Sequence, residues 1–297
     1  MGFENELALI YDVDCVFNQP VKKHLSLGVG GNAEYFAAPK SLYALKNAVE
    51  CAKKHRVPVK IIGGGTNLLV SDKGFKGLII TTVKLADVFF KRDGVFAMCG
   101  APLKKVADFA RDNGLTGFEK LSGIPATVGG AVFQNAGAFG ASVSDCVLDV
   151  QTLCRGKLKN RNKSDCRFGY RKSVFKNGKE IIVSAVFDLK KGDRAEIDRL
   201  TALYREKRRQ SQPQGKSCGC VFKNPPDIPA GKLIEAAGLK GCSRGGAAVS
   251  EKHANFIVTS ASATAADVYN LILHIKKTVK DKFGKDLTEE VEYVGEF

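Results

Sequence analysis

The sequence is short of the features that mark membrane, secreted and metal-binding proteins. Its longest apolar runs fall well short of the roughly 20 residues that cross a bilayer. The first residues, MGFENELALIYDVD, are acidic and show neither the basic nor the apolar region of a signal peptide. Nine cysteines occur singly except Cys218 and Cys220, which gives neither a disulfide framework nor two paired clusters of zinc ligands. We therefore expect a cytoplasmic protein with no membrane contact and no metal.

The chain also lacks the glycine turns that bind nucleotide phosphates at the start of a helix. No GxxxxGK followed by Ser or Thr occurs. A GxGxxA pattern at Gly28, Gly30 and Ala33 leads into EYFAAP, and GGGTN at 63–67 is followed at once by the strand-like run LLVSD. Both classes of loop must open a helix whose N-terminus faces the phosphates. The sequence therefore argues against a P-loop or a Rossmann turn.

The stretch that is present instead is the glycine-rich segment, residues 121–140, which reads LSGIPATVGGAVFQNAGAFG. Glycine lets the backbone approach a ligand closely, and successive backbone N–H groups can line an anion. A flexible linker would be polar and rich in serine, whereas this segment carries Ile124, Val128, Val132 and Phe133 between its glycines. We interpret it as a loop that forms one wall of a site for a large flat or anionic cofactor.

The net charge of +15 raises the question of nucleic-acid binding. The basic residues are spread along the chain, with one denser run at 205–209 and no aromatic residues interleaved there. The signatures of RNA-binding modules are absent. A solvated surface, or a site for small polyanionic ligands, explains the charge better, so we expect no nucleic-acid partner.

Apolar periodicity predicts an α+β protein. The predicted helices begin at the N-cap Ser41 and end near residue 55, begin at Pro102 and end at Gly114, and cover 193–209, GKLIEAAG and about 264–283. The predicted strands are VKII as a buried strand, LLVSD, hairpin strands within 78–100, segments near 147–153 and 181–189, NFIVT and the C-terminal TEEVEYVG. Residues 1–20 show no clear pattern.

In this setting the chain resembles the UDP-N-acetylenolpyruvoylglucosamine reductases, flavoenzymes that complete UDP-N-acetylmuramate for peptidoglycan. Between about residues 20 and 294 it carries, in the family's order, HLSLGVGGNAEYF, GGGTNLLV, SGIPATVGGAVFQNAGAFG, FGYRKSVF, CGCVFKNP, AGKLIEAAGLKG, VSEKHANFIV and EEVEYVG. The absence of tryptophan and the short spacing between Phe187 and Cys218 resemble the shorter subtype, which lacks an inserted loop over the substrate.

The resemblance implies the FAD-binding fold of the cresol methylhydroxylase and vanillyl-alcohol oxidase type, with two lobes and a C-terminal α+β substrate domain. The implied domains are 1–84 (lobe 1, with the tail 286–297 returning to it), 85–195 (lobe 2) and 196–285 (substrate domain). FAD is expected to bind non-covalently through non-helical glycine loops, NADPH to serve as co-substrate, and the protein to be a monomer that acts on a UDP-sugar enolpyruvate. The implied FAD contacts are Gly63, Gly64, Gly65, Thr66, Asn67, Leu68, Ser122, Gly123, Ile124, Thr127, Gly130, Ala131, Asn135 and Gly137.

The implied reaction passes a hydride from NADPH to FAD and then to the methylene carbon of an enolpyruvyl ether. Negative charge develops at the neighbouring carbon and its carboxylate, so the site needs a fixed cation, a group that shapes the enolate and a proton donor. By resemblance Arg171 in FGYR is that cation, because its planar fork holds a carboxylate through two bonds. Tyr170 beside it is implied to contact the substrate.

The C-terminal half carries the other implied site residues. Glu290 matches the family's catalytic glutamate; strand alternation sends Glu289 to the opposite face, so only one of the two can lie in the site. Glu292 stands where a basic residue commonly follows. The residues that match contacts to the UDP moiety are Lys223 and Asn224 in FKNP, with Arg208 a candidate for its diphosphate.

Cys220 is the main departure from the family, which usually has a serine as proton donor at this position. A thiol is a much stronger acid than a serine hydroxyl and can donate without elaborate assistance. Cys218 and water are the alternative donors. Two other functions stay open: an FAD oxidoreductase of the same fold that acts on an alcohol or lactone, which would not need FGYR or CGCVFKNP, and a basic binding protein without a cofactor.

Overall fold

A computed structural model describes residues 1–91 and 94–297. The chain divides into two compact units. Unit 1 consists of residues 1–16, 36–64 and 77–208, and unit 2 of residues 17–35, 65–76 and 209–297. The division into two lobes and a substrate domain stays a prediction. Over the described residues, no helix is long and apolar enough to span a bilayer.

The secondary structure mixes helices with short strands, as the sequence predicted. The helices are α1 (Phe3–Ala8), α2 (Leu42–Lys54), α3 (Leu103–Asp112), α4 (Val128–Gln134), α5 (Val143–Cys146), α6 (Arg194–Ser211), α7 (Ala230–Ala236) and α8 (Ala265–Phe283). The strands are β1 (Val13–Pro20), β2 (Asn32–Pro39), β3 (Val59–Ile62), β4 (Leu68–Val70), β5 (Phe75–Thr81), β6 (Val88–Lys91), β7 (Gly94–Met98), β8 (Leu115–Thr116), β9 (Gly137–Ala138), β10 (Ala141–Ser142), β11 (Val147–Cys154), β12 (Lys157–Asn162), β13 (Ile181–Phe187), β14 (Lys190–Lys191), β15 (Ser243–Arg244), β16 (Ala247–Val249), β17 (Ile257–Thr259) and β18 (Glu292–Val294).

Unit 1 is built on an antiparallel sheet of order β12-β11-β13-β7-β6. Its central strand β13 is buried along nearly its whole length, which explains the continuous apolar run of its sequence. Helix α3 buries the predicted apolar face, Leu103, Val106, Ala107 and Ala110. A second sheet has the order β1-β2-β5-β3, in which β3 and β5 are parallel.

Unit 2 has its core around the long helix α8. The apolar stripe predicted from the 3.6-residue period is buried, and Thr264 and Asp267 form a capping box at the N-terminus. The antiparallel sheet β15-β16-β17 packs with this helix, and the C-terminal strand β18 pairs in parallel with β4. The buried members of the stripe are Val268, Leu271, Ile272, Ile275 and Val279.

The structure corrects the prediction for residues 78–100. Only β6 and β7 form a hairpin, and residues 92–93 between them lie outside the described residues. Strand β5 joins β3 in a different sheet. The run VKII is not the buried strand that was predicted, because only Ile62 in it is buried. A continuous apolar run cannot identify its own partner strand, which tertiary packing decides.

The N-terminal residues also contain structure that the sequence did not indicate. Helix α1 has just six residues, with Phe3 and Leu7 buried four positions apart. Strand β1 alternates poorly between buried and exposed positions. One apolar pair and an irregular strand are too short for a periodicity argument, which needs a window of about 11 residues or more.

The prediction of a non-helical loop over residues 121–140 was wrong for 128–134, which form helix α4. Val128, Ala131 and Val132 give the helix a buried face with spacings of three and four. A Cβ on Gly129 would lie 3.0 Å from the Cβ of Cys99 and 3.1 Å from its carbonyl oxygen. Glycine is therefore used here for close packing of the helix and not to prevent helix formation.

Candidate active site

In unit 1, the predicted site residues are those of the glycine-rich segment and the residues that pack against it. A Cβ on Gly63 would overlap the hydroxyl of Thr127, and one on Gly137 would lie 2.5 Å from the carbonyl oxygen of Ala141. A Cβ on Gly123 would lie 3.0 Å from Cδ of Arg208, which places this arginine of α6 beside the segment. Gly64 and Gly130 are exposed, and Ala131 is buried. Unit 1 thus brings Gly63, the segment and Arg208 together.

Arg171 lies at the tip of a tight turn. Lys172 donates its backbone N–H to the Gly169 carbonyl (3.1 Å), and Gly169 donates back to the Lys172 carbonyl (3.0 Å). Arg171 adopts φ +52°, a left-handed conformation that costs a non-glycine residue about 1–2 kcal/mol. Its Nη2 donates to the Gly137 carbonyl at 3.3 Å, and its guanidinium lies 5.4 Å from the ring centre of Tyr170, which is exposed. The turn therefore presents the Tyr170–Arg171 pair beside the glycine-rich segment.

Asn135 anchors this turn. It ends helix α4 with φ +44° and is buried. Its Nδ2 donates to the Gly169 carbonyl (3.0 Å), and its Oδ1 accepts from the Ser144 N–H (3.0 Å). The side chain predicted to contact FAD therefore also holds the segment that carries Arg171. Its contact with FAD stays a prediction.

The unit 2 part begins at Gly65, which has φ +63° and lies against residues 24–26. A Cβ there would overlap the carbonyl oxygen of His24 and lie 2.9 Å from Leu25 Cδ2. Ser26 donates its N–H to the Gly65 carbonyl at 3.1 Å. This close approach explains why the turn before β4 requires glycine.

Asn67 ties this turn to the C-terminal strand. Its Nδ2 donates to the Glu290 carbonyl (2.9 Å), and its own carbonyl accepts from the Glu292 N–H (3.0 Å). Strand β4 then pairs with β18, Leu68 opposite Glu292. The structure therefore brings together two parts of the predicted site, residues 65–68 and Glu290, that are more than 220 positions apart in sequence.

The Cys220 segment, residues 220–223, lies directly beside Glu290. The Glu290 N–H donates to the Val221 carbonyl at 2.7 Å, Phe222 is bridged to Glu289, and Lys223 donates to the Thr288 carbonyl at 2.9 Å. The Glu289 carboxylate is already held by Lys276, 2.6 Å from its Nζ. The structure therefore separates the two glutamates, and Glu290 is the one whose backbone is fixed between Val221 and Asn67.

Asn255 is a positioning residue that the sequence analysis missed. It is 2% exposed, and its side chain donates to the Phe222 carbonyl (2.8 Å) and accepts from the Phe222 N–H (2.9 Å). Its own carbonyl accepts from the Val221 N–H at 2.8 Å. The side-chain amide of Asn255 thus bonds to both main-chain groups of Phe222, as a neighbouring strand would. The sequence predicted Asn255 only as the first residue of the strand NFIVT, and no pattern showed its partner.

The other predicted contacts in unit 2 are less enclosed. Asn224 is exposed, and its Oδ1 accepts from the Ala230 N–H at the start of α7 (3.1 Å). Lys223 is half-buried. Cys218, the alternative proton donor, is 4% exposed, and burial raises the pKa of its thiol to about 12. Such a group is a poor match to proton transfer near neutral pH.

The arrangement passes a physical test for an FAD site. Among the described residues, the buried hydroxyls of Ser26, Ser122 and Thr127 have no hydrogen-bond partner within the protein. An unpartnered buried hydroxyl costs about 1–3 kcal/mol, which points to a ligand as the partner. Ser122 and Thr127 are two of the predicted FAD contacts, and Ser26 adjoins Gly65. Hydroxyls and tightly approached glycine turns suit a ligand with a diphosphate and a heterocycle, so the residues fit FAD.

Comparisons with known proteins agree with this geometry. Residues 211–294 match the sequence model of the UDP-N-acetylenolpyruvoylglucosamine reductase C-terminal domain, and residues 33–158 match that of the FAD binding domain. UDP-N-acetylenolpyruvoylglucosamine reductase of Carboxydothermus hydrogenoformans is 44% identical over 282 residues, covering 94% of this chain and 93% of the relative. The protein of the same name from Caldanaerobacter subterraneus is 41% identical over 281 residues, with the same coverage.

Solved structures show the same likeness. The UDP-N-acetylenolpyruvylglucosamine reductase of Thermus caldophilus superposes with a TM-score of 0.82 at 34% identity, covering 95% of this chain and 99% of that one. A BBE-like 1 variant from Physcomitrella patens has a TM-score of 0.51 at 16% identity, covering 97% of this chain and 62% of that one. The second likeness shows the fold alone.

We predict that Gly65→Ala loses most of its bound FAD and lowers the melting temperature. The new methyl group would collide with the His24 carbonyl, in addition to the left-handed strain of about 1–2 kcal/mol. Gly238→Ala is the matched control, because Gly238 has φ +77° with nothing within 4 Å of its Cβ position. Equal flavin content and equal melting temperatures in the two variants would contradict a close approach at Gly65.

We predict that Asn255→Ala lowers the turnover number at least tenfold and also lowers the melting temperature. It leaves the buried N–H and carbonyl of Phe222 unsatisfied, at about 1–3 kcal/mol each. Asn255→Asp keeps the acceptor for the Phe222 N–H but sets a buried carboxylate oxygen against the Phe222 carbonyl, so it should not restore the parental values. The exposed Asn270→Ala on α8 is the control. Parental turnover in Asn255→Ala would show that the hydrogen bonds between Asn255 and Phe222 do not position the Cys220 segment.

Proposed function

This chain belongs to the UDP-N-acetylenolpyruvoylglucosamine reductase family, and from that premise we propose the part that its own residues play in the reaction. It is an FAD-dependent oxidoreductase that uses NADPH to convert UDP-N-acetylglucosamine enolpyruvate to UDP-N-acetylmuramate in peptidoglycan precursor synthesis. Agreement over 94% of the chain favours this function over another flavin oxidoreductase or a binding protein without a cofactor. Bound FAD supplies the hydride transfer; the protein supplies position, charge and protons.

We assign the glycine turns and hydroxyls to the cofactor. Ser122, Thr127 and residues 63–68 would hold FAD through hydroxyl and backbone N–H groups, with Gly123, Ile124, Gly130, Ala131 and Gly137 shaping the surface against it. Ser26 joins this set because its buried hydroxyl lies in the segment that contacts Gly65. FAD is bound without a covalent link.

Arg171 is assigned to the substrate carboxylate. Its position at the tip of a turn in a strained left-handed conformation supports the role, since such strain persists where surroundings impose it and is common at functional sites. A planar guanidinium binds a carboxylate through two bonds and stabilises charge as it develops. Tyr170, on the same turn, would contact the substrate, while Arg208, Lys223 and Asn224 would meet the UDP moiety.

Cys220 and Glu290 are assigned to the protonation step. The observation that carries this assignment is the 2.7 Å hydrogen bond from the Glu290 N–H to the Val221 carbonyl, which places the two residues on adjacent backbones. Cys220 would give the proton of its thiol to the substrate carbon next to the carboxylate, leaving a thiolate that regains a proton from solvent. Glu290 would shape the enolate.

We further propose that the protein is a cytoplasmic monomer without a nucleic-acid partner. NADPH and UDP-activated sugars are cytoplasmic metabolites, and the basic side chains engage in many local ion pairs, such as Arg205 with Asp108 at 2.9 Å. Light scattering at micromolar concentration should give the mass of one 32.0 kDa chain plus FAD. A stable dimer would overturn the oligomeric assignment alone.

We predict that Arg171→Lys keeps FAD and its reduction by NADPH but loses about a hundredfold or more in turnover with the enolpyruvyl substrate. Lysine keeps the charge but cannot form the two-bond fork. Arg167→Lys is a matched control, because Arg167 is exposed and also has a positive φ of +47°. Steady-state kinetics and anaerobic stopped-flow separate the two half-reactions. Near-parental turnover in Arg171→Lys would show that two-bond binding of the substrate carboxylate by Arg171 is not needed.

We predict that Cys220→Ala is reduced by NADPH at the parental rate but is reoxidised by substrate at least tenfold more slowly, because it lacks the proton donor. Cys220→Ser should stay substantially active. Cys242→Ala, a half-buried cysteine of the same unit, is the control. The flavin absorbance followed by stopped-flow measures both steps. An alanine variant that is reoxidised as fast as the parent would exclude Cys220 from protonation.

We predict that acid precipitation leaves all the flavin in the supernatant. The wider fold includes covalent attachment through His, Cys or Tyr. His24 is the histidine whose carbonyl approaches Gly65, and its ring nitrogen is engaged with Gln19 at 2.9 Å. Absorbance at flavin wavelengths in the precipitated chain would contradict non-covalent binding.

A further inference from the structure

The assigned reaction leaves unused a cluster of three unlike donor groups in unit 1. Glu6 lies on the N-terminal helix α1, Cys51 on α2, and His55 directly after α2. One ligand atom from each, a carboxylate oxygen, the sulfur and an imidazole nitrogen, lies within 4.8 Å of the other two. The cluster therefore joins two helices through side chains of differing chemistry.

The contacts within the cluster show that the groups are already oriented toward one another. His55 Nε2 lies 2.8 Å from Glu6 Oε2, and the ring of Phe3 packs beside the imidazole with centroids 5.7 Å apart. Cys51 is buried, whereas the side chains of Glu6 and His55 are 27% and 21% exposed. A small ion can therefore reach the carboxylate and the imidazole from solvent and meet the thiol beneath them.

The donor set has the chemistry of a zinc site. Zinc takes thiolate, imidazole and carboxylate ligands, with Zn–S at about 2.3 Å and Zn–N at about 2.0–2.1 Å. Ligands at those distances in a tetrahedron lie about 3.3–3.8 Å apart. The 2.8 Å between His55 Nε2 and Glu6 Oε2 must therefore widen by about half an ångström, and the sulfur, now within 4.8 Å of both, must lie within about 3.8 Å of each. Rotation of the two partly exposed side chains supplies both changes. Alkaline-earth ions prefer all-oxygen sites and do not suit a thiol.

Lys54 is the group that competes with a cation here. Its Nζ lies 2.9 and 2.8 Å from the two oxygens of Glu6, and its side chain is 66% exposed. An exposed ion pair of this kind contributes little to stability, because solvent screens it. Lys54 can therefore swing into water at small cost when a divalent ion takes the carboxylate.

We propose that Glu6, Cys51 and His55 bind one Zn²⁺ ion, which clips α1 to the end of α2. On binding, the Cys51 thiol loses its proton to solvent, the neutral His55 ring coordinates through Nε2, and a water takes the fourth position. The ion serves structure and takes no part in hydride transfer.

The test is a Zn²⁺ titration of the chelator-treated holoenzyme by calorimetry, with zinc-edge X-ray absorption on the loaded sample. We expect one Zn²⁺ per chain at micromolar affinity or tighter, one sulfur neighbour near 2.3 Å, and a higher melting temperature. Repeating the titration in buffers of different ionisation enthalpy should reveal release of the Cys51 proton.

Three variants keep the test sharp. Cys51→Ser and His55→Gln should each weaken binding at least tenfold and abolish the rise in melting temperature, whereas Lys54→Ala should retain or strengthen binding. Cys154→Ser, a half-buried cysteine on β11, is the control and should match the parent. Parental affinity in Cys51→Ser and His55→Gln, an absorption spectrum without sulfur, or binding lost only when Lys54 or Cys154 is replaced would each overturn the proposal. His55→Gln changes a partly exposed ring and guards against misfolding in Cys51→Ser.

Discussion

The backbone hydrogen bond between Glu290 and Val221 is the constraint on which the unit 2 part of the site depends. At 2.7 Å it pairs a segment near the C-terminus with the Cys220 segment, and Asn67 and Asn255 fix the two sides of that pair from opposite directions. These bonds all end on main-chain groups of the paired segments, which Asn67 and Asn255 reach with their side-chain amides. The side chains of Cys220 and Glu290 therefore start from backbones held in place, which lowers the entropy lost when a substrate is bound.

In unit 1, close packing and strained backbone conformations hold the site residues in place. Gly129 lets α4 approach Cys99, and Asn135 ends that helix in a left-handed conformation from which its amide holds the turn of Arg171. Two residues with unfavourable φ, Asn135 and Arg171, are thus linked through one hydrogen-bonded loop. Strained backbone conformations persist only where the surrounding contacts stabilise them by more than the strain costs. Here those contacts include the buried face of α4.

Long periodic elements of the fold could be predicted from the sequence. In a helix such as α8, five apolar residues at helical spacing indicate which face is buried. The partner of a strand could not. Residues 78–81 and 59–62 are both apolar runs, and their parallel pairing depends on what packs around them. The same limit applied to α4, where the glycine-rich composition was interpreted as a ligand-binding loop although Gly129 is required by close packing of a helix against Cys99.

Short motifs in the sequence predicted individual site residues, whereas the contacts that link those residues are seen in the structure. FGYR and CGCVFKNP indicated Arg171 and Cys220, yet nothing in either motif showed Asn135 behind the first or Asn255 behind the second. The sequence pattern that predicts a zinc site contains paired cysteines, whereas the proposed ligands Glu6, Cys51 and His55 come from two helices and the residue after the second. Contacts between residues far apart in sequence carry no local pattern, so positioning residues are found from structure.

The nine cysteines show how surroundings, rather than residue type, set the chemistry of a position. Burial raises the pKa of Cys99, Cys146 and Cys218 to about 12, and that of Cys15 and Cys166 to about 11. Such thiols behave as small apolar side chains. Cys218 and Cys220 are two residues apart and differ in burial, one lying in the core of unit 2 and the other half-buried. A CxC pair can therefore place one thiol in the core and leave the other within reach of a ligand, as the role proposed for Cys220 requires.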